Sequence, residues 1–212
     1  GMFESVYDYP YASSSANHIF DITVGMAPYV PSEGTSYQGK YTSSDQLYNL
    51  VVTGSGLSVA NKKRAIYNQM AQVLVGYDTS GSIKLFDADG NFSTRRDKIL
   101  DPTFINFSRL LTKDEIKKGS FSMDLGVATS WYKPFGTGSG WMVNVADTGA
   151  DSNYKVNSPA GEYGILKITN KKGTPLSTTA IAASGSSVGL IYYQAGIVVL
   201  DKATTDCTAA AT

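Results

Sequence analysis

A short glycine- and serine-rich stretch has the spacing that many hydrolases use to present a catalytic serine. Gly185-Ser186-Ser187-Val188-Gly189 matches the G-x-S-x-G pattern, in which a strained strand-to-helix turn exposes the serine to an acid and a histidine. Here a strand pattern follows Gly189, and the chain's one histidine, His18, lies far upstream. We therefore interpret the stretch as a Gly/Ser turn and expect no nucleophile at Ser187.

Two further stretches resemble the start of ligand-binding loops. The run Asp87-Ala88-Asp89-Gly90-Asn91 opens like a calcium-binding loop, but Phe92 and Lys98 stand where an EF-hand needs glycine and glutamate. Gly54-Ser55-Gly56 precedes a helix pattern, yet it lacks the other residues of the phosphate-binding motifs. We interpret the first stretch as a solvated turn with at most weak calcium affinity, and the second as a turn that lets the helix dock.

Transition-metal sites need clusters of histidine, cysteine and carboxylate ligands. The chain has one histidine and one cysteine, Cys207. Asp114 and Glu115 are adjacent carboxylates, but a helix-capping role accounts for Glu115. We therefore predict no catalytic, cofactor-binding or metal-binding residues, no cofactor, and no enzymatic activity.

The charge balance argues against two classes of partner. Lys plus Arg equals Asp plus Glu at 18 each, so the formal net charge is zero. Nucleic-acid-binding domains are usually basic, so we expect Lys62-Lys63-Arg64 and Arg95-Arg96 to be solvated surface. No apolar run approaches the roughly 20 residues that a membrane-spanning helix needs, and no secretory-signal pattern follows Met2. We therefore expect neither nucleic acid nor a membrane as a partner.

One long helix is predicted at about 59–75. Ser58 can cap its start, and Gly76 suits the left-handed position just past its end. A single helical turn is also predicted, starting at the capping box 112–115 and ending at Gly119. Helical spacing predicts that the long helix buries one apolar face, formed by Val59, Ile66, Met70, Val73 and Leu74.

The remaining patterns favour strands, because apolar and polar residues alternate over short runs bounded by turn residues. Two apolar runs, 190–193 and 197–200, flank Gln194-Ala195-Gly196 and predict a hairpin. Because both runs are apolar on both faces, we expect this hairpin to lie centrally in a sheet. The other predicted strands or extended segments are 19–24, 82–86, 104–111, 121–127, 141–145 and 161–169. The fold class is mainly β (α+β), an antiparallel sheet or sandwich packed against one long helix.

The chain is predicted to have three parts. Residues 1–45 are rich in Tyr, Ser and Pro and predict an extended N-terminal arm, irregular apart from the strand at 19–24. Residues 46–200 predict a single mostly-β domain that contains the helix. Residues 201–212 are small and polar and predict a flexible tail.

Four stretches together resemble a family of virion structural proteins from contractile-tailed marine phages, the cyanophage-like myoviruses. They are KKRAIYNQMAQVLVG (62–76), FINFSRLLTKDEIKKGSFSMDLG (104–126), SPAGEYGIL (158–166) and VGLIYYQAGIVVL (188–200). The resemblance implies a non-enzymatic virion component, associated with the tail or baseplate rather than the capsid. Its implied partners are copies of itself, as a homo-oligomer, and other virion proteins. The stretches are framework sequence, so the resemblance assigns no functional residues.

An alternative from another class is a carbohydrate-binding β-domain of a phage tip or cell-surface protein. It predicts that Trp131, Trp141 or several tyrosines share one exposed face. For the assembly interpretation, we expect the contact surfaces to be the N-terminal arm, 3–41, and exposed loops. Deletion of residues 2–40 is then expected to weaken self-association while the strand core stays folded.

Overall fold

The computed structural model describes residues 3–9, 15–28, 59–92, 97–111, 115–127, 141–172 and 187–201. These ranges contain one α-helix, one 3-10 helix (Ser108–Leu110) and ten strands. The helix is α1 (Val59–Leu74), and the strands are β1 (Phe3–Asp8), β2 (Asn17–Val24), β3 (Phe86–Asp87), β4 (Lys98–Ile99), β5 (Pro102–Asn106), β6 (Ser122–Val127), β7 (Trp141–Ala146), β8 (Tyr163–Lys172), β9 (Ser187–Tyr192) and β10 (Ile197–Asp201).

Eight of these strands form one antiparallel sheet in the order β1-β2-β5-β10-β9-β8-β7-β6, and β3 pairs with β4 separately. The fold is mainly β with one long helix, as predicted. The β9–β10 hairpin occupies the middle of the sheet, and both of its arms are buried almost throughout. The prediction of a central hairpin is therefore confirmed. Its physical reason is that strands that are apolar on both faces must be covered on both, which the middle of the sheet allows.

Different apolar clusters cover the two faces of the sheet. The first cluster packs α1 and the segments 83–92 and 99–100 against residues such as Phe104 and Tyr163. The second cluster lies on the opposite face, and the sheet curls around it. Its curl is visible at Phe107, whose ring centre lies 5.3 Å from that of Phe20 on β2 and 5.9 Å from that of Phe121 before β6. Phe107 therefore joins regions near opposite ends of the sheet.

The predicted helix is confirmed, and Gly76 just beyond it has a φ of +83°, the left-handed conformation that favours glycine. Its predicted buried face is partly wrong. Leu74 is buried, but Val59 and Val73 are both exposed, and Tyr67 is fully buried in their place. The phenol can take this position because its hydroxyl donates a hydrogen bond to the Ile99 carbonyl and accepts one from the Phe86 amide, both at 3.0 Å.

The N-terminal segment differs from the expected arm. The predicted strand at 19–24 is part of β2, but residues 3–8 are not irregular: they form β1 and pair with β2. The chain then enters the core, where the Ala27 amide donates to the Leu100 carbonyl at 2.7 Å. Deletion of residues 2–40 would therefore remove two strands of the sheet, and it cannot leave the strand core intact as expected. The boundary at residue 45 stays a prediction.

The other predicted strands are confirmed with shifted ends, except 82–86, of which only Phe86 lies in a strand (β3) while Ile83 forms an isolated bridge with Tyr77. Residues 104–106 belong to β5, but the extended segment predicted to reach residue 111 turns into the 3-10 helix after Phe107. Residues 121–125 alternate as predicted, with Phe121, Met123 and Leu125 half-buried in the second cluster. The helical turn predicted from 112–115 to Gly119 is not confirmed: residues 112–114 lie outside the described residues, and 115–119 form no helix, although Gly119 has a φ of +73°. Asp201, the first residue of the predicted tail, is the last residue of β10, and the tail from 202 onward lies outside the described residues.

Candidate functional site

The acidic loop after β3 is more tightly organised than the sequence predicts. Asp87 is fully buried, and its Oδ1 accepts hydrogen bonds from the amides of Asp89 and Asn91, each at 3.2 Å. Carboxylate oxygens of Asp87, Asp89 and Asp97 all lie within 4.8 Å of one another. Asp97 was not part of the predicted loop because its place beside Asp87 depends on the pairing of β4 with β3, which the loop pattern does not show. The three carboxylates could in principle hold a cation.

A cationic side chain already occupies the buried end of this acidic cluster. The Lys98 ammonium forms an ion pair with Asp87 Oδ2, and both side chains are nearly inaccessible to solvent. Burial and then the neighbouring Asp89 raise the pKa of the Asp87 carboxyl, Lys98 opposes the rise, and the net result is a pKa of about 6. The Lys98 and Lys84 ammonium groups also lie 5.5 and 5.4 Å from the centre of the Phe92 ring. These contacts make Lys98 the counter-ion of the cluster.

The tip of the acidic loop is fastened to the sheet by hydrogen bonds. Asn157 donates its side-chain amide to the Gly90 carbonyl at 3.0 Å, and the Tyr163 hydroxyl donates to Asn157 Oδ1 at 2.7 Å. Gly90 has a φ of +73°, and a side chain there would press on Lys155 and Tyr163. Burial raises the pKa of the Tyr163 hydroxyl, with further contributions from Asp87 and Asp89. The loop is therefore a fixed part of the structure and not a solvated turn.

The G-x-S-x-G motif does not form a nucleophile elbow. Ser187 and Gly189 lie within β9, and Ser187 is opposite Lys167 of β8. A side chain at Gly189 would collide with the Val199 carbonyl of β10, so the glycine serves close strand contact. His18 lies on β2, three strand positions from β9 and hence roughly 14 Å or more away at ordinary strand spacing. Ser187 and His18 are not brought together, and Ser187 and Gly189 lie in a strand and not in the turn predicted for the motif.

A different serine, histidine and aspartate do meet, across β1 and β2. Asp21 Oδ1 accepts a hydrogen bond from Ser5 Oγ at 2.5 Å and lies 2.7 Å from His18 Nε2. Residues three apart normally point to opposite faces of a strand, but a bulge in β2 at Ile19 places His18 and Asp21 on one face. The hydrogen bond from Ser5, and then that from His18, lowers the pKa of the Asp21 carboxyl.

This arrangement lacks the geometry of a catalytic triad. A triad requires the serine to hydrogen-bond to the histidine, whereas here the carboxylate binds both groups through the same oxygen. The Tyr7 ring packs edge-on against the His18 ring, with centres 5.3 Å apart. The cluster therefore fastens β1 to β2. A bulge in a strand leaves no simple mark in the sequence, so sequence patterns could not have found it.

A buried carboxylate is present at the other end of the sheet. Asp147 follows β7 and is 3% exposed, and its Oδ2 accepts hydrogen bonds from the Tyr193 hydroxyl at 2.7 Å and the Gly119 amide at 3.1 Å. Its Oδ1 is buried and has no hydrogen-bond partner among the described residues. Gly164 makes room for the pair, because a side chain there would overlap the Tyr193 hydroxyl. Asp147 and Tyr193 are 46 positions apart, and no local sequence pattern indicates a contact between them.

Several residues considered in the sequence take no part in these clusters. Lys62 is exposed on α1, Lys63 and Arg64 are half-buried there, and Glu115 is exposed. Other candidates lie outside the described residues: Gly54-Ser55-Gly56, Arg95-Arg96, Asp114, Trp131, the side chain of Trp141, and Cys207. The glycan-binding alternative, which predicts Trp131, Trp141 or several tyrosines on one exposed face, stays a prediction.

The most exposed apolar residues near a sheet edge lie on and just after β1. Phe3, Tyr7 and Tyr9 are 62%, 50% and 64% exposed. Among the described residues, β1 pairs with β2 alone, so the outer edge of β1 offers backbone hydrogen-bonding groups to another chain. Sequence patterns missed β1 because an edge strand with exposed aromatic side chains shows no clear alternation between apolar and polar residues.

Two findings complete the description of the site. No helix in the described part of the chain is long and apolar enough to cross a bilayer. Comparison with protein-family models, with curated proteins and with solved structures found no match to this chain.

Proposed function

We propose that this chain is a non-enzymatic structural protein of a phage virion, associated with the tail or baseplate, which acts through protein–protein contacts in a symmetric assembly. The observation that carries the proposal is the exposed β1 edge with Phe3, Tyr7 and Tyr9 beside it. Exposed aromatic side chains, and a strand edge that no described strand covers, are features that interfaces use.

The segments that resemble phage virion proteins lie in the framework of this fold. Residues 62–76 contain most of α1, 104–126 run from β5 into β6, and 188–200 contain most of the central hairpin. These elements supply the two apolar clusters. The resemblance is thus one of core sequence, which supports a shared fold more directly than a shared role in the particle.

The proposal is tested by the mass of the intact chain in solution. We expect light scattering over a concentration series to show one defined oligomer, and negative-stain images of the same fractions to show a closed, symmetric particle. A chain of zero net charge can also associate non-specifically through charge, and that association should weaken in about 0.5 M salt. A defined oligomer held by apolar contacts should persist there. A strict monomer at high concentration would contradict the proposal.

A further inference from the structure

We propose that β1 binds, by strand addition, an extended segment of a different protein that carries two lysine or arginine residues four positions apart. The inference rests on the proposed function and names the chemistry of one partner in the assembly. Its starting point is the outer edge of β1, which no described strand covers. Strand addition to such an edge obtains affinity from backbone hydrogen bonds and specificity from alternate side chains.

The register of β1 on β2 shows which side chains an added strand would meet. Glu4 is opposite Ile22 and Val6 is opposite Phe20, so Glu4, Val6 and Asp8 point to the face that holds the second apolar cluster. Glu4 and Asp8 are exposed. Residues four positions apart in a strand are about 13 Å apart, and an added strand has the same spacing. Two basic residues at that spacing would each meet one carboxylate.

A second copy of the chain is a poor occupant of this edge. If β1 pairs antiparallel with the β1 of another copy and Val6 lies at the centre, Glu4 is set directly opposite Asp8 twice. Like charges in directly opposed positions are destabilising. Other antiparallel registers still gather the carboxylates of both copies on one face of the strand pair. The acidic residues therefore select against self-pairing, which is a common protection of sheet edges.

The other end of the sheet is equally unsuited to extend β1. Met123 and Leu125 of β6 belong to the second apolar cluster, on the same face as Glu4 and Asp8. A head-to-tail contact between β6 and β1 of successive copies that continues the sheet with its faces aligned would place these apolar side chains beside the two carboxylates. Neither the β1–β1 contact nor the β6–β1 contact provides opposite charges for Glu4 and Asp8. An added strand with basic residues does provide them.

The test uses two synthetic strand peptides of about nine residues, identical except that one has two lysines and the other two glutamates, four positions apart. Fluorescence anisotropy measures their binding to the intact chain, and hydrogen exchange locates the binding site. We expect the lysine peptide to bind at least about tenfold more tightly at low salt and to slow amide exchange within Phe3–Asp8. The preference should shrink in about 0.5 M salt.

A charge-reversed variant, Glu4→Lys with Asp8→Lys, provides the matched control. Both side chains are exposed, so the variant should fold, and its preference should invert toward the glutamate peptide. Equal binding of the two peptides to the intact chain, an unchanged preference in the variant, or protection confined to other strands would each overturn the inference. If the intact chain forms a closed oligomer but shows no peptide preference, this inference fails while the proposed function stands.

Discussion

Replacing Tyr67 with phenylalanine should destabilise the fold far more than the loss of one oxygen atom suggests. The Tyr67 side chain is 0% exposed, and its hydroxyl is the hydrogen-bond partner of the Phe86 amide and of the Ile99 carbonyl. Phe86 and Ile99 are themselves fully buried, so water cannot replace the hydroxyl without entering the core. The substitution Tyr67→Phe leaves both backbone groups without this partner.

The cost follows from what each backbone group loses. A buried polar group left unsatisfied costs about 1–3 kcal/mol, and removal of the hydroxyl's own desolvation penalty offsets a part of it. We therefore expect the free energy of unfolding to fall by about 2–4 kcal/mol. Domains are typically stable by about 5–15 kcal/mol, so the variant should still fold.

Urea denaturation followed by circular dichroism and tryptophan fluorescence measures this change. With a slope of about 2–3 kcal/mol per molar urea, the midpoint should fall by about 0.7–2 M, with the slope itself unchanged. Hydrogen exchange should also show faster exchange at the Phe86 amide. The matched control is Tyr77→Phe, because Tyr77 is 49% exposed, and it should change stability by less than about 0.5 kcal/mol. If the two variants lose equal stability, the reasoning from the buried hydroxyl is refuted.

Two further predictions concern the buried carboxylates. The pKa of the Asp87 carboxyl is about 6 in the folded state and near 4 in the unfolded state. The folded state therefore binds the proton more tightly, so this carboxyl stabilises the fold below about pH 4, and that stability is lost as the pH rises through about 6. Urea titrations at about pH 4 and pH 7 give the unfolding free energies of the wild type and of Asp87→Asn. The wild-type value minus the variant value should fall by about 2 kcal/mol from pH 4 to pH 7, and a rise in that difference would contradict the reasoning. At the other end of the sheet, Gly164→Ala should cost about 3 kcal/mol or more, because the new methyl group overlaps the Tyr193 hydroxyl. Gly164→Ala should cost less in a Tyr193→Phe background, where the hydroxyl is absent. If the two substitutions have strictly additive effects on the unfolding free energy, the Tyr193 hydroxyl is not what excludes a side chain at position 164.

The sequence predicts best those features that depend on local pattern. The central hairpin was predicted because two apolar runs flank a short turn, and α1 because a capping serine, helical spacing and Gly76 agree. The buried face of α1 was partly wrong because Tyr67, a polar aromatic residue, is buried through hydrogen bonds to residues 19 and 32 positions away. Such partners are set by tertiary structure, which helical periodicity does not report.

The candidate site depended even more on contacts between distant residues. The sequence indicated the acidic run that starts at Asp87, but Asp97 joins it only because β4 returns beside β3. The counter-ion role of Lys98 was invisible too, since in the calcium-loop pattern it counted only as a mismatch. The Asp147–Tyr193 hydrogen bond spans 46 positions. In each case the residue types are ordinary, and only the fold gives them a shared environment.

The position of β5 in the sheet has a consequence for synthesis of the chain. Its residues pair with residues of β10 that lie 91 to 99 positions later, from Asn106 with Ile197 to Pro102 with Asp201. At about 5–20 residues per second, a ribosome adds that length in about 5–20 s. During that interval β2 and β5 can pair, but the inner side of β5 has no strand to cover it. A nascent chain would therefore expose an apolar strand edge for several seconds. Such an edge is the kind of surface that chaperones bind during translation.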